Sequence, residues 1–265
     1  MPSEGKSPPL QPLLEVRGLC KTHKQGQWWQ RQFHQLVLDN VDLTLHAGGT
    51  LALVGESGAG KTTLAMCLVG LEEPDAGKIV FDGRSLRELS RNERVSSFRE
   101  IQLVFQDSAG ALNPLMSAAE IIEEPLLIAG EGRKPRRERA LKAMEQVGLP
   151  FSWSNRRPHE LSGGQRQRLA IARAIILEPK LIILDEALAG LDLSIQAQIS
   201  NLLLDLQSER GLSYLCISHD MAHVERFADE VATIRHGKVT KQPSAPLRSA
   251  DSPTAKSAFG AGAGG

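Results

Sequence analysis

The segment Gly55–Thr62 (GESGAGKT) matches the pattern GxxxxGK[ST] at every fixed position. In such a loop, glycines let the backbone curl so that its N–H groups surround a phosphate, and the following helix start adds partial positive charge. The ammonium of Lys61 can reach terminal phosphates, and the Thr62 hydroxyl can ligate Mg²⁺. The alternative is a glycine-rich turn with an incidental lysine. An apolar strand before the loop and a helical pattern after it favour phosphate binding.

Two carboxylates follow another apolar run, Leu181–Leu184, which is typical of a strand buried on both faces. Ligands of open α/β sheets gather at the carboxyl ends of the strands. Asp185 is therefore placed to hold Mg²⁺, and Glu186 to act as general base for a water that attacks a γ-phosphate. The alternative is a pair of exposed acids at a strand end. The phosphate-binding loop elsewhere in the chain favours the catalytic interpretation.

A third motif, Leu161–Gln165 (LSGGQ), precedes a helix-forming stretch. Ser162 and Gln165 are spaced as a capping box, with serine at the N-cap and glutamine three residues later. That explanation leaves Gly163 and Gly164 without a role. Two glycines expose bare backbone N–H groups at a helix start, which suits a second anion site.

The elements that must position these motifs alternate between strand and helix patterns. Strands are predicted at 13–17, 43–45, 51–54, 78–81, 101–105, 181–184, 214–217 and 231–234, and helices at 61–69, 118–128, 136–147, 165–177, 194–207 and 221–227. This alternation predicts a mostly parallel α/β sheet. The all-helical stretch 107–178 is interpreted as an insertion within a domain spanning 13–241. Residues 1–12 are predicted to be a flexible arm, and 242–265, rich in Ser, Ala, Pro and Gly, a disordered tail.

Composition narrows the class of protein. The 265 residues are 41% hydrophobic and 23% charged, which excludes wholesale disorder. The 31 basic residues balance the 31 acidic ones, so no global charge attracts nucleic acid. Three cysteines without a CxxC pair indicate a reducing compartment. No apolar run has the length of a membrane span, and the start of the chain leads into prolines rather than into a secretory signal. We expect a protein that faces the cytosol.

Together these motifs resemble the ATP-binding-cassette (ABC) ATPases over nearly all of residues 13–240. The other landmarks of that family follow in order. Gln106 matches the Q-loop glutamine, Ala189–Asp192 the D-loop, and His219 the switch histidine. His23 stands where the family usually has an aromatic side chain that stacks on adenine, and histidine can also stack. Trp28 and Trp29 follow it; between a loop anchor and a nucleotide contact, we favour the anchor.

The resemblance implies a P-loop NTPase (ABC ATPase) core with a mostly parallel sheet, an antiparallel β subdomain and an inserted α-helical subdomain. It also implies a head-to-tail pair, in which ATP on the loop of one subunit is covered by the LSGGQ segment of the other. Glu186, His219 and Gln106 would be catalytic, and Thr62, Gln106 and Asp185 would surround Mg²⁺. The residues assigned to ATP on this basis are Gly55, Glu56, Ser57, Gly58, Ala59, Gly60, Lys61, Thr62, Thr63, His23, Ser162, Gly163, Gly164, Gln165 and Asp192.

Further segments resemble the dipeptide, oligopeptide and nickel importers of bacteria. They are Phe105–Ser108, Ala111–Pro114, Glu120–Leu126 and Leu193–Gln198. The part after Gln106 would receive a permease; alternatively it is a plain surface helix. Ala187 replaces the commoner proline after the two acids, and this departure, together with Gln106-Asp107-Ser108 after Phe105, is more similar to nickel-import subunits than to peptide ones.

The resemblance predicts a peripheral subunit at the cytoplasmic side of the inner membrane. Its partners would be a second ATPase subunit, identical or different, two transmembrane permease subunits and, indirectly, an extracytoplasmic solute-binding protein, with no nucleic acid. A soluble regulatory ABC ATPase without a permease stays open, as do peptide cargo and export. A P-loop kinase or GTPase leaves LSGGQ unexplained, and the chain has no Asn-Lys-x-Asp guanine motif.

Overall fold

A computed structural model describes residues 12–25, 33–105, 108–220, 224 and 227–241. Its strands are β1 (Pro12–Gln25), β2 (Phe33–His46), β3 (Thr50–Val54), β4 (Ala76–Phe81), β5 (Arg84–Ser85), β6 (Ile101–Phe105), β7 (Leu181–Asp185), β8 (Ser213–Ser218), β9 (Glu230–Arg235) and β10 (Lys238–Lys241). Its helices are α1 (Lys61–Leu68), α2 (Arg91–Arg99), α3 (Ser108–Ala111), α4 (Ala118–Ile128), α5 (Arg133–Gln146), α6 (Gly163–Ile175) and α7 (Leu193–Arg210), with short 3₁₀ helices at Phe151–Trp153 and Pro158–Glu160.

The larger sheet has six strands in the order β10-β9-β3-β8-β7-β6. Every neighbouring pair is parallel except β10 with β9. All residues of β3 and β7 are buried. Because helices cover both faces of such a sheet, its central strands are apolar throughout, and this made them readable in the sequence. The predicted mostly parallel α/β fold is confirmed.

The second sheet is antiparallel, in the order β2-β1-β4-β5. Its two long strands have 14 residues each, so the predicted strands at 13–17 and 43–45 were too short. Irregular register between β1 and β2, at Val16 to Leu19 and again near Lys21, explains the error. Bulges break the alternation of polar and apolar residues on which strand prediction depends.

Helices α3 to α6 occupy the chain between β6 and β7. The apolar faces of α4, α5 and α6 join one core with the sheet and α7, while a second core lies under α1 and the antiparallel sheet. Helix α2 was not predicted, because none of its residues is buried and it has no apolar stripe. A complete capping box of Ser90 and Glu93 marks its start and was the available signal. Among the described residues, no helix combines the length and apolarity that a bilayer crossing requires.

Several sequence-based predictions lie outside the described residues. These are Gln106, Trp28 and Trp29, the arm up to residue 11, most of the helix predicted at 221–227, and the tail 242–265.

Candidate nucleotide-binding site

The order of the parallel strands brings three motifs together. Strands β3, β8 and β7 are neighbours in the sheet, and their carboxyl ends lead into the Gly55–Thr62 loop, into His219 and into Glu186. Parallel strands end at the same edge of a sheet, where ligands of this architecture bind. The topology therefore joins segments that are far apart in the sequence.

The loop after β3 depends on glycine at two places. A Cβ on Gly55 would lie 2.4 Å from the carbonyl oxygen of Ile234, so no larger residue fits there. Gly60 has φ 105°, a left-handed conformation that glycine adopts without strain, and α1 begins directly after it. No side chain caps α1, so its first N–H groups remain available to an anion.

The side chain of Lys61 extends back into the loop that precedes α1. Its side chain is buried, and its ammonium donates hydrogen bonds to the carbonyl oxygens of Gly55 and Glu56 at 2.8 and 2.9 Å. The loop is thereby folded around the amine. The same nitrogen lies 3.6 Å from Glu186 Oε1, which brings the cation to the acidic end of β7.

Asp185 and Thr62 form the pair that fits a magnesium ion. The Thr62 hydroxyl lies near the Asp185 carboxylate and favours its charged form. Burial raises the pKa of Asp185, and the Glu186 carboxylate reinforces this, whereas the hydrogen bond from Thr62 and the Lys61 ammonium oppose it. Within the described part of the chain, Asp185 Oδ1 is buried and accepts no hydrogen bond. A buried acceptor without a donor suits a cation.

The described residues contain no group of three or more His, Cys, Asp or Glu side chains that could hold a metal alone. A magnesium ion at Thr62 and Asp185 would thus need additional oxygen ligands from a nucleotide or from water. This is the usual way in which Mg²⁺ binds together with phosphates. The donor set fits a magnesium nucleotide better than a free metal.

Glu186 lies between two nitrogen-bearing side chains. Besides the Lys61 contact, its Oε2 is 3.2 Å from Nδ1 of His219. Its backbone has φ 48°, and its N–H donates to the carbonyl oxygen of Ile217 at 2.9 Å. Non-glycine residues in this left-handed region are uncommon and are often found at functional sites. The carboxylate is therefore held at the edge of the sheet by its own backbone.

A cavity of about 350 Å³ lies between the phosphate-binding loop, Glu186 and the antiparallel sheet. Besides Lys61, Thr63 and Glu186 on the loop side, His23 of β1 lines it. The sequence analysis missed Gln35 and Val37 of β2, which line the same cavity. No motif marks them; Gln35 pairs with His23 in the register of β1 and β2, so only the folded sheet reveals it. The described residues that line the cavity are His23, Gln35, Val37, Ser57, Gly58, Gly60, Lys61, Thr62, Thr63 and Glu186.

The LSGGQ segment lies elsewhere, because Ser162–Gln165 are not among the described residues that line this cavity. The capping box left open by the sequence is present: Ser162 Oγ accepts from the N–H of Gln165 at 3.3 Å, and Gln165 Oε1 accepts from the N–H of Ser162 at 2.9 Å. A Cβ on Gly164 would lie 2.6 Å from Cγ2 of Ile195, and one on Gly163 would lie 3.4 Å from Leu191. Gly164 thus also allows α6 to pack closely against α7, whereas a side chain at Gly163 would make an ordinary van der Waals contact.

Asp192 of the D-loop segment also has a local role. Its Oδ1 accepts a hydrogen bond from the N–H of Ile195 at 3.0 Å and caps the N-terminus of α7. Like the LSGGQ residues, Asp192 is not among the described residues that line the cavity of His23 and Lys61. One chain therefore brings together the loop, the two acids, His23 and His219, and leaves the LSGGQ residues and Asp192 apart.

Known proteins are similar in sequence to this chain over most of its length. A family profile described as ABC transporter matches residues 38–189. The chain is 48% identical over 229 residues to a Brucella ovis protein provisionally named as a peptide import ATP-binding protein, covering 86% of this chain and 71% of that protein. It is 44% identical over 230 residues to the nickel import ATP-binding protein NikE of Shigella boydii, covering 86% of each. The dipeptide transport ATP-binding protein DppF of Escherichia coli is 43% identical over 235 residues, which are 88% of this chain and 70% of DppF.

Solved structures show the same architecture. A dimeric, post-hydrolysis ATP-binding cassette bound to ADP and Pi superposes with a TM-score of 0.77 at 30% identity, covering 89% of this chain and 99% of that one. The protein cbiO1 of Clostridium perfringens, part of the ABC transporter complex cbiONQ, superposes with a TM-score of 0.75 at 28% identity over 88% of each chain. From the profile match, the relatives and the shared architecture, we conclude that this chain belongs to the ATP-binding subunits of ABC transporters and is an ATPase.

Proposed function

We propose that this chain is the ATP-hydrolysing subunit of a bacterial ABC importer that energises uptake of nickel complexes or of di- and oligopeptides. The observation that carries the proposal is the meeting of Lys61, Thr62, Asp185, Glu186 and His219 at the carboxyl ends of three adjacent strands. This set contains a phosphate cradle, a cation site and a base.

The proposed division of work follows from the contacts. The N–H groups at the start of α1 and the Lys61 ammonium bind the phosphates, while Thr62 and Asp185, with Gln106 by resemblance, hold Mg²⁺. A bound Mg²⁺ supplies positive charge against the phosphate oxygens. Glu186 takes a proton from the attacking water, and the ring of His219, 3.2 Å from its carboxylate, orients that carboxylate and contacts the γ-phosphate.

A second subunit, identical or different, would complete the site. The LSGGQ segment and Asp192 stand apart from the cavity of their own chain, and the relative bound to ADP and Pi is dimeric. In the proposed pair, Ser162, Gly163, Gly164 and Gln165 of one subunit face the nucleotide of the other. Backbone N–H groups at the start of α6 would supply donors for its phosphates.

The remaining partners are proposed from the names of the relatives. Nickel import and dipeptide transport subunits at 43–44% identity favour two permease subunits and, indirectly, an extracytoplasmic solute-binding protein. We place the chain at the cytoplasmic face of the inner membrane as a peripheral subunit. Ala187 after the two acids favours nickel over peptide.

The test of catalysis is Glu186→Gln. We expect it to bind ATP normally and to hydrolyse it about 10²–10⁴-fold more slowly, which is the usual contribution of a general base. Glu138→Gln, on the exposed face of α5, is the matched control and should hydrolyse ATP at the normal rate. Near-normal turnover in Glu186→Gln would remove Glu186 from the proposed role.

The test of transport uses a strain that lacks the gene. We expect loss of uptake of labelled nickel or of labelled dipeptide, restored by the normal gene and not by Glu186→Gln. Co-purification of the tagged chain with multi-span membrane proteins should accompany it. Unchanged uptake of both cargoes, with no membrane protein co-purified, would instead favour a soluble regulatory ATPase.

A further inference from the structure

His23 contacts a residue that is distant in the sequence and that no sequence motif predicts. Its Nε2 lies 2.9 Å from Oε2 of Glu72, which follows α1. About a third of each side chain is exposed, 37% for His23 and 33% for Glu72. The two residues are 49 positions apart, so the contact comes from the folded sheet and not from a local turn.

The segment that carries Glu72 is fixed from both sides. The N–H of Glu72 donates to the carbonyl oxygen of Met66 at 3.2 Å, which ties it to the last turn of α1. Three residues later, the N–H of Asp75 donates to the carbonyl oxygen of Cys20, and the Asp75 carboxylate accepts from the N–H of Thr22. Glu72 is thus held against the strand that bears His23.

Helix α1 links this pair to the phosphates. It begins at Lys61, inside the phosphate-binding loop, and ends at Leu68, four residues before Glu72. His23 lines the same cavity as Lys61 and Thr62. The helix and the turn that is hydrogen-bonded to its last residues therefore connect the phosphate-binding loop to the carboxylate that contacts the imidazole.

An imidazole is a smaller stacking platform than the tyrosine or phenylalanine usual for such a role, and its ring can turn about two side-chain bonds. When Nε2 donates to a carboxylate, the tautomer and the ring plane are set by that bond. The nucleobase then meets a ring whose orientation is already fixed, which lowers the entropy cost of stacking.

We propose that Glu72 is a positioning residue for the nucleobase: through its hydrogen bond to His23 it holds the imidazole in the orientation that stacks on adenine. This rests on the proposed function, because it requires ATP in the cavity of Lys61. Glu72 itself does not touch the nucleotide. A partly exposed hydrogen bond of this kind contributes little to stability, so its effect is expected in ATP affinity.

The test compares two probes, ATP and inorganic tripolyphosphate, which has the phosphates and no base. Glu72→Ala removes the oxygen that accepts from the imidazole and should weaken ATP binding about three- to tenfold, a part of the roughly 5- to 150-fold that complete loss of base stacking costs. It should raise KM for ATP and leave kcat and tripolyphosphate binding unchanged. Glu73→Ala, the same truncation of the next and exposed side chain, is the matched control and should leave all four quantities unchanged.

A second variant separates this inference from the proposed function. In His23→Phe the ring cannot donate a hydrogen bond, so adding Glu72→Ala should have no further effect on ATP affinity. Equal losses from Glu72→Ala in the unaltered and in the His23→Phe background, or weaker binding of tripolyphosphate, would overturn the positioning role. If His23→Ala also leaves ATP affinity unchanged, the nucleobase lies elsewhere and the inference fails with it. Failure of the unaltered protein to bind either probe would instead refute the proposed function.

Discussion

Gly164→Ala tests the packing of the LSGGQ helix against its own chain. The added methyl group would lie 2.6 Å from Cγ2 of Ile195, about 1 Å inside an ordinary carbon–carbon contact. Ile195 is β-branched and lies in the first turn of α7, where its χ1 angle has little freedom. One of the two helices must therefore shift. Overpacking of this kind costs about 1–3 kcal/mol, a fall in Tm of roughly 3–10 °C for a chain of this size.

The assay is thermal unfolding combined with ATPase rates in three backgrounds. With Ile195→Ala the obstructing methyl group is gone, and we expect Gly164→Ala to be nearly neutral for Tm, while the ATPase rate reports separately whether the added methyl group disturbs the proposed composite site. With Ile195→Val both γ-carbons remain, so the loss of Tm should persist. A Gly164→Ala protein as stable as the unaltered one, or a loss of Tm that Ile195→Ala does not relieve, would refute the steric reasoning. Restored Tm without restored ATPase activity would show that the methyl group also obstructs the composite site.

Three further predictions concern buried groups. Lys61→Ala removes an ammonium with two backbone hydrogen bonds and should weaken ATP binding at least about tenfold in a titration. Burial raises the pKa of Asp185 in the folded protein, so without nucleotide its own contribution to the free energy of unfolding should fall as pH rises through the acid range. The lowered pKa values of Glu88, Glu93 and Glu120 act in the opposite direction, so the measurement is the difference in the free energy of unfolding between the unaltered protein and Asp185→Asn; a difference that does not change with pH would contradict the prediction. Burial raises the pKa of Cys67 to about 11 and that of Cys216 to about 12, so an alkylating reagent at neutral pH should leave both unmodified until the protein is unfolded; mass spectrometry of the native protein would detect the opposite.

The most accurate predictions from the sequence concerned the helices and strands whose burial produces a regular pattern of apolar residues. Strand β6 and helix α4 have the predicted bounds, because the first is a short apolar run and the second has an apolar stripe. Strand β10 and the two-residue β5 were missed, since neither buries enough surface to show alternation. Helix α2 was missed for the same reason, although Ser90 and Glu93 marked its start.

Some residues of the candidate site were predicted from the sequence, and others were not, for the same reason. Lys61, Asp185 and Glu186 were predicted because phosphate binding and proton transfer restrict the residue types at fixed spacing. Val37 was not, because the pairing of distant strands brings it to the cavity, and neither was Glu72, which contacts His23 only in the folded protein. The close approach of Gly164 to Ile195 is also a product of tertiary packing. Residues that bind phosphate or transfer protons occur in sequence motifs of fixed spacing, whereas the residues that position them are brought together only by tertiary packing.

The backbone of Glu186 is held in place, which restricts the side chains that this position can accept. Its N–H is bonded to Ile217 on the neighbouring strand and its φ is 48°, so the peptide cannot slide to compensate for a different side chain. In the proposed mechanism, aspartate, one methylene shorter, would hold its carboxylate farther from the attacking water, and a β-branched residue would strain the main chain. The side-chain length at this position is therefore restricted, and in that mechanism substitutions of neighbours such as His219 would change turnover by smaller steps.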